Sequence, residues 1–303
     1  QPFGDRLTAL VAERESQLVL GLDPDPAKLW PVAIGAADAA STAPAVAAAK
    51  AVSQHCSAVI AAVGAECVGV KLQLACFERL GAPGYAALVE TVEAAHTEGL
   101  VVIADGKRGD VPVTAKAYAQ SLFGSTPTPW GDVPGLGADV ATINPLLGAD
   151  SIEPFVESAW EHGAGVFALV RTSNPGAVDI EDLPVDGVTV SDKLAALVDQ
   201  IGASHVGESG LSSLGAVVGA TEPAHIERLR SAMPRAVFLI PGVGAQGGKV
   251  EDLAAAFTSG PASALITVSR ALVNAWEQTG SDPAASAKAA AAELRESIWN
   301  VSN

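Results

Sequence analysis

Basic residues are scarce in this chain: 18 lysines and arginines stand against 34 aspartates and glutamates, a formal charge of −16 over 303 residues. That balance argues against a general nucleic-acid binder, which needs a basic face to neutralise phosphates. It still permits an anionic small molecule wherever a few cations are gathered locally. Cysteine is sparse too. Cys56, Cys67 and Cys76 are odd in number and lack paired metal-ligand spacing, so they are expected to be reduced core residues of a cytoplasmic protein. The five histidines are dispersed, and no His/Cys/carboxylate cluster proposes a metal. Long uninterrupted apolar runs are missing as well. Asp38, Lys50 and His55 break the alanine-rich stretch from Ala36 to Val63, which is read as a loop leading into a packed helix and not as a membrane span. The first residues include Asp5, Arg6, Glu13, Arg14 and Glu15, with no signal-peptide core.

What the chain does have is enough apolar sequence, 49% of residues, for a large core. Eight short apolar runs recur: Leu18–Leu22, Cys67–Val70, Leu100–Ala104, Val140–Ile143, Val166–Val170, Ala216–Ala220, Val237–Ile240 and Ala264–Val268. Continuous runs of this kind fit parallel strands covered on both faces, whereas half-exposed strands would alternate. Helical spacing marks Ala45–Val63, Tyr85–Glu98, Val113–Phe123, Ser151–His162, Asp192–Gly202, Pro223–Ala232, Val250–Thr258 and Asp282–Trp299. Ser281 and Pro283 supply a cap and a first-turn proline for the last of these. Repeated strand–helix alternation predicts an α/β fold, a (β/α)8 TIM barrel forming a single domain over residues 1–303. The Pro/Gly-rich segment near 125–137 reads as an inserted surface loop. An open doubly wound sheet would carry a glycine fingerprint after its first strand, but Asp23-Pro24-Asp25-Pro26 stands there instead.

Polar residues follow the runs in order: Asp23, Lys71, then Asp105 with Lys107, Asn144, Arg171-Thr172-Ser173, Thr221, Pro241-Gly242 and Ser269-Arg270. The C-terminal mouths of barrel strands are where this fold places its chemistry, so the pattern predicts an enzyme. Most informative is Asp105-Gly106-Lys107-Arg108-Gly109-Asp110. Residues two apart on a strand share a face, so Asp105 and Lys107 are expected to point into one space, with Gly106 and Gly109 turning the chain towards Asp110. Two flanking carboxylates favour an ammonium at Lys107, which suits a proton donor or anion clamp better than a Schiff-base nucleophile. Further on, Pro241 to Gly248 holds four glycines in eight residues, and the next strand leads to Arg270. Loops after the seventh and eighth strands are the usual phosphate site of these barrels. No Gly-Lys-Ser/Thr follows, so a phosphomonoester is expected in place of a nucleoside triphosphate.

Taken together, these residues resemble the orotidine 5′-phosphate decarboxylase family, in its longer-chain (type 2) subgroup, from about Gln17 to Trp276. The resemblance rests on Leu20-Gly21-Leu22-Asp23-Pro24, Gly69-Val70-Lys71, the Asp-x-Lys-x-x-Asp run, Arg171-Thr172-Ser173-Asn174-Pro175-Gly176, Pro241–Gly248 and Arg270. It implies a decarboxylation of orotidine 5′-phosphate to uridine 5′-monophosphate and CO2 in de novo pyrimidine biosynthesis, with no cofactor and no metal. By the same resemblance Asp23 and Lys71 contact the ribose, Lys71 also joining the carboxylate network. Asp105, Lys107 and Asp110 form the catalytic chain, with Lys107 the proton donor. Ser173 reads the pyrimidine and Pro241 lines it, while Gln246, with Gly247 beside it, bridges base and phosphate and Arg270 clamps the phosphate. Asp110 and Thr114 would enter the neighbouring subunit's pocket, which implies a homodimer. Departures from the family pattern are Val111 and Pro112 after the run and Ser269 before Arg270; valine is expected to preserve an apolar wall. Two other readings stay open: a metal-dependent sugar-phosphate aldolase on the same scaffold, which would reuse the Asp-x-Lys-x-x-Asp run, and a nucleotide-binding protein without catalysis.

Overall fold

Leucine, valine and isoleucine dominate the short runs, and in the computed structural model these runs become strands buried on both faces. The structure describes residues 1–36, 43–244 and 247–303. The strands are β1 (Leu18–Leu22), β2 (Gly69–Gln73), β3 (Val101–Arg108), β4 (Val140–Ile143), β5 (Gly165–Arg171), β6 (Leu214–Val218), β7 (Phe238–Pro241) and β8 (Ala264–Val268). Each pairs in parallel with its sequence neighbours, and β8 pairs with β1 to close the barrel. Principal helices are α1 (Phe3–Arg14), α2 (Pro44–Val63), α3 (Gly81–Thr97), α4 (Pro112–Leu122), α5 (Ala149–Glu161), α6 (Val190–Gly202), α7 (Pro223–Ala232) and α8 (Pro283–Ser302). Residues Val250–Phe257 wind as a 3-10 helix where an α-helix was expected.

Because strand side chains alternate, each strand serves two cores. Leu18, Leu20 and Leu22 face the helices together with Val70, Leu72, Val102 and Ala104. Val19, Ile103, Val140, Phe167, Val217, Leu239 and Leu265 fill the barrel interior. α1, which is not among the helices expected from the sequence, adds Phe3, Leu7 and Val11 to that interior cluster. Their spacing of four residues is a helical signal that was present in the sequence. Phe3 meets the Phe167 ring edge-on at 6.1 Å, and Arg14 donates to the carbonyls of Gly64, Cys67 and Glu98. α1 thereby stoppers the N-terminal end of the barrel and leaves the C-terminal mouth free.

Several boundaries differ from the sequence reading, for local reasons. β3 does not stop at Ala104 but continues to Arg108. α8 is capped by Asp282, whose carboxylate accepts from the Ala285 amide at 2.9 Å, and not by Ser281; Pro283 occupies the first turn as expected. Within 125–137, Ser125–Thr126 pairs with Val133–Pro134 as a short antiparallel hairpin. The expected loop before α2 includes residues 37–42, outside the described residues. Pro44–Glu66 is long and apolar enough to cross a membrane by length and composition, but half of that window is buried in the protein. Val52, Cys56, Val59 and Ile60 on α2 pack into the cluster between helices and barrel.

Arg230 on α7 joins elements that are remote in sequence. It is 3% exposed, and its guanidinium donates to the carbonyls of Met233, Ala236, Ala256 and Ser263 while lying 3.6 Å from the Phe238 ring centroid. Burial lowers its pKa to about 9, which leaves it charged at neutral pH. Removing the donors strands buried carbonyls, each at a cost of about 1–3 kcal/mol. Arg230→Met is therefore expected to lower stability by on the order of 3 kcal/mol in urea unfolding, with Arg230→Lys recovering part of the loss. An unchanged midpoint in Arg230→Met would show that those carbonyls do not need the guanidinium.

Candidate active site

The inward positions near the strand ends are polar where those below are apolar, and this switch builds the site. A cavity of about 590 Å³ opens at the C-terminal mouth. Asp23 follows β1, Lys71 and Gln73 lie on β2, Asp105 and Lys107 on β3, and Thr142 on β4; all of them line it. On the far side it is bounded by Thr172, Ser173 and Glu181 after β5, Pro241 ending β7, Thr267 on β8, and Ser269 with Arg270 after β8. Of the residues expected at the site, Asp23, Lys71, Asp105, Lys107, Ser173, Pro241 and Arg270 are thus brought together.

Four charges alternate along one wall. Asp105, 5% exposed, accepts from Lys71 Nζ on one oxygen and Lys107 Nζ on the other, each at 2.7 Å. Lys71 Nζ also stands 3.5 Å from Asp23. Burial works to raise the Asp105 pKa, but the two ammonium groups outweigh it and hold the carboxyl at about 2. Lys71 shows the converse: burial would lower its pKa, yet Asp105 and then Asp23 raise it. The cation set between two carboxylates is therefore Lys71, where the sequence reading expected Lys107. Lys107 pairs with Asp105 alone among the described residues, and its side chain keeps 43% exposure at the cavity.

The glycines of the 105–110 run serve close packing. Neither Gly106 nor Gly109 has a positive φ; Lys107 does, at 48°. A Cβ on Gly106 would lie 2.8 Å from Leu74 Cδ1, and one on Gly109 would lie 2.7 Å from the Asn144 carbonyl oxygen. The unusual backbone is thus on the lysine itself, in a region that costs a non-glycine residue about 1–2 kcal/mol. Arg108 pairs with Glu78, and its carbonyl accepts from the Asn144 amide at 2.8 Å, which anchors the chain just beyond it.

The Ser173 loop is gripped from outside. Arg171 makes a two-pronged pair with Asp182 at 2.8 and 2.9 Å, and Glu181 accepts from the Thr172 amide at 2.7 Å and its hydroxyl at 2.9 Å. A Cβ on Gly219 would meet Ser173 Cα at 2.8 Å, so a glycine there lets β6 pass beneath the loop. Gln73, Thr142, Glu181, Asp182 and Thr267 were missed by the sequence reading. Three of them, Gln73, Thr142 and Thr267, carry a detectable signal, since each lies an even number of residues from an inward neighbour on its strand.

At the opposite end, Gly242, Gly244 and Gly247 have φ of 103°, 74° and 95°, a backbone that glycine adopts freely. Arg270 is exposed and lines the cavity beside Ser269. Gly247 is exposed and does not line it; Gln246 lies outside the described residues. Asp110 and Thr114 are half-buried and do not line it either, and Asp110 Oδ1 accepts from the adjacent Val111 amide at 2.7 Å. Val111 is 55% exposed and forms no wall of this cavity, while Pro112 opens α4. Among the described residues, no three or more His, Cys, Asp or Glu side chains gather as a metal site.

Comparison with known proteins gives a consistent picture. The family described as Orotidine 5′-phosphate decarboxylase / HUMPS matches residues 16–290. The chain is 40% identical to an orotidine 5′-phosphate decarboxylase of Rhodopirellula baltica, over 91% of this chain and 89% of that one. It is 38% identical to the protein of the same name in Deinococcus radiodurans, over 98% and 96%. Among solved structures it resembles Leishmania donovani OMP decarboxylase, with a TM-score of 0.74, 32% identity and 98% of each chain covered. A putative orotidine 5′-phosphate decarboxylase from Streptomyces avermitilis superposes with a TM-score of 0.77 at 31% identity, over 100% of this chain and 96% of that one.

The charge array has a consequence for acid stability. Asp105 has a folded pKa of about 2 against an unfolded reference of 3.8, so its contribution is complete above that reference and is lost as pH falls towards 2. Over that window roughly 2 kcal/mol should disappear from the unfolding free energy. Urea unfolding between pH 5 and pH 2 should show a flatter decline in Asp105→Asn than in the wild type; parallel declines would contradict the assignment.

Proposed function

The chain belongs to the orotidine 5′-phosphate decarboxylase / HUMPS family, and we propose that Lys107 is the proton donor of its reaction, acting without a cofactor. The activity is decarboxylation of orotidine 5′-phosphate to uridine 5′-monophosphate and CO2, a step of pyrimidine biosynthesis. The bond from C6 to the carboxylate breaks, its electron pair stays on C6, and CO2 departs. Lys107 then delivers a proton to C6. A slow reaction of this kind can require on the order of 20 kcal/mol of barrier reduction, so fixed charge beside the forming carbanion is the main resource. Asp105, ionised and anchored by Lys71, is read as facing the departing carboxylate, where repulsion eases as CO2 forms.

The observation that carries this reading is the Lys107 ammonium, held 2.7 Å from Asp105 yet still exposed at the mouth of the cavity. Binding roles are carried over from the family resemblance: Asp23 and Lys71 for the ribose, Ser173 and Pro241 for the pyrimidine, Gln246 with Gly247 bridging base and phosphate, and Arg270 for the phosphate. Of these, Asp23, Lys71, Ser173, Pro241 and Arg270 line the cavity. A cavity of about 590 Å³ suits a nucleoside monophosphate. Phosphate held at that end gives binding energy remote from C6 that can be used to close the site. The barrel is read as one catalytic domain, and the three free thiols support a cytoplasmic setting.

We further infer a homodimer in which Asp110 and Thr114 complete the partner's site. Their absence from this subunit's own cavity supports it, as do exposed Val111, Val113, Leu146 and Leu147 on the adjoining segments after β3 and β4. The sugar-phosphate aldolase reading would require a divalent ion, and a spectrophotometric orotidylate assay in EDTA separates the two. Wild-type turnover is expected there, with none in Lys107→Ala while uridine 5′-monophosphate binding stays measurable. Near-normal turnover in Lys107→Ala would remove the lysine from its role. For the dimer, mixing Lys107→Ala with Asp110→Ala subunits should restore roughly a quarter of wild-type activity, because each mixed dimer keeps one complete site. No recovery after verified subunit exchange would exclude shared sites.

A further inference from the structure

We propose that Thr142 is a positioning residue that fixes both ends of Lys107 for proton transfer, an inference that rests on Lys107 being the donor. Thr142 lies inward on β4 and is 1% exposed. Its hydroxyl donates to Asp105 Oδ1 at 2.8 Å and accepts from the Lys107 backbone amide at 3.0 Å. A hydroxyl has one proton to give, so donation to the carboxylate leaves its lone pairs for the amide, and both contacts are satisfied together.

The need for this contact is visible in the backbone. Ladder pairing between β3 and β4 joins Ala104 to Ala141 and then skips to Arg108 opposite Ile143. Asp105, Gly106 and Lys107 bulge out of register, and Lys107 takes its φ of 48° there. Along β3 the Val101 amide pairs on the β2 side while Val102 and Arg108 pair on the β4 side, so an unbroken ladder would aim the Lys107 amide at β2. Across the bulge it turns to the Thr142 hydroxyl on β4 instead. Lys107 Nζ meanwhile reaches the same Asp105 oxygen that Thr142 donates to, at 2.7 Å. The result is a closed ring: lysine amide to threonine hydroxyl, hydroxyl to carboxylate, carboxylate to the ammonium of the same lysine. Backbone and head group of the donor are tied through one buried side chain, so a small shift at Thr142 moves the amine relative to C6.

The test compares Thr142→Val, which keeps the branched shape and deletes the hydroxyl, with Thr142→Ser, which keeps the hydroxyl. In Thr142→Val, kcat is expected to fall roughly ten- to a hundredfold, with KM and uridine 5′-monophosphate affinity within about twofold of wild type. Thr142→Ser should recover most of that loss. If the valine variant does not fold, Thr142→Ala replaces it in the comparison. Wild-type kcat in the hydroxyl-free variant, or a serine variant as slow as the valine one, would overturn the role of Thr142 while leaving Lys107 as donor. A wild-type protein that does not decarboxylate orotidylate would instead remove the functional reading and this inference together.

Discussion

A carboxylate taken out of water must find compensation, and Asp105 finds it in two ammonium groups at 2.7 Å. Alone, each partner would be unstable where it stands: a buried aspartate would protonate and a buried Lys71 would lose its proton. Held together, they keep their charges, and the series Asp23, Lys71, Asp105, Lys107 forms a wall whose potential is set before any ligand enters. Preorganised charge of this kind needs no rearrangement at the moment of reaction.

The barrel supplies the rigidity on which that wall depends. Inward side chains below it are apolar and filled in by Phe3, Leu7 and Val11 of α1, so the polar layer rests on a packed floor. Parallel strands with both faces covered cannot shift register without exposing one core or the other. Among the described strands register shifts at two places, where β6 meets the end of β5 and at the β3 bulge against β4, and Lys107 sits at the second. Local irregularity is tolerated there because Thr142 and Asp105 meet the polar groups it releases and the Arg108–Glu78 pair holds the chain just beyond it.

Much of this was legible beforehand, because it depends on short-range pattern. The eight strands were visible as apolar runs, and seven of the expected site residues do meet at one cavity. The errors fall where contact partners are distant in sequence. α1 is the exception, since the four-residue spacing of Phe3, Leu7 and Val11 is local, and only its docking against the barrel floor depends on distant partners. The roles given to Gly106 and Gly109 were wrong because Leu74 and Asn144, which crowd them, lie on other elements. Lys71 could not be recognised as the doubly paired cation, since its partners lie 48 residues before it and 34 after it in the chain.

Strand and helix periodicity, the order of polar residues after each run, and the scarcity of basic groups are local or additive properties, and the sequence by itself determined them. It therefore decided the architecture, the end of the barrel that carries chemistry, and the family. Which amine faces which carboxylate, which residue bears the left-handed backbone, and which hydroxyl binds the free amide are relations between strands. They depend on register and on distances across the barrel, and only closure of the tertiary structure brings those groups within reach of one another.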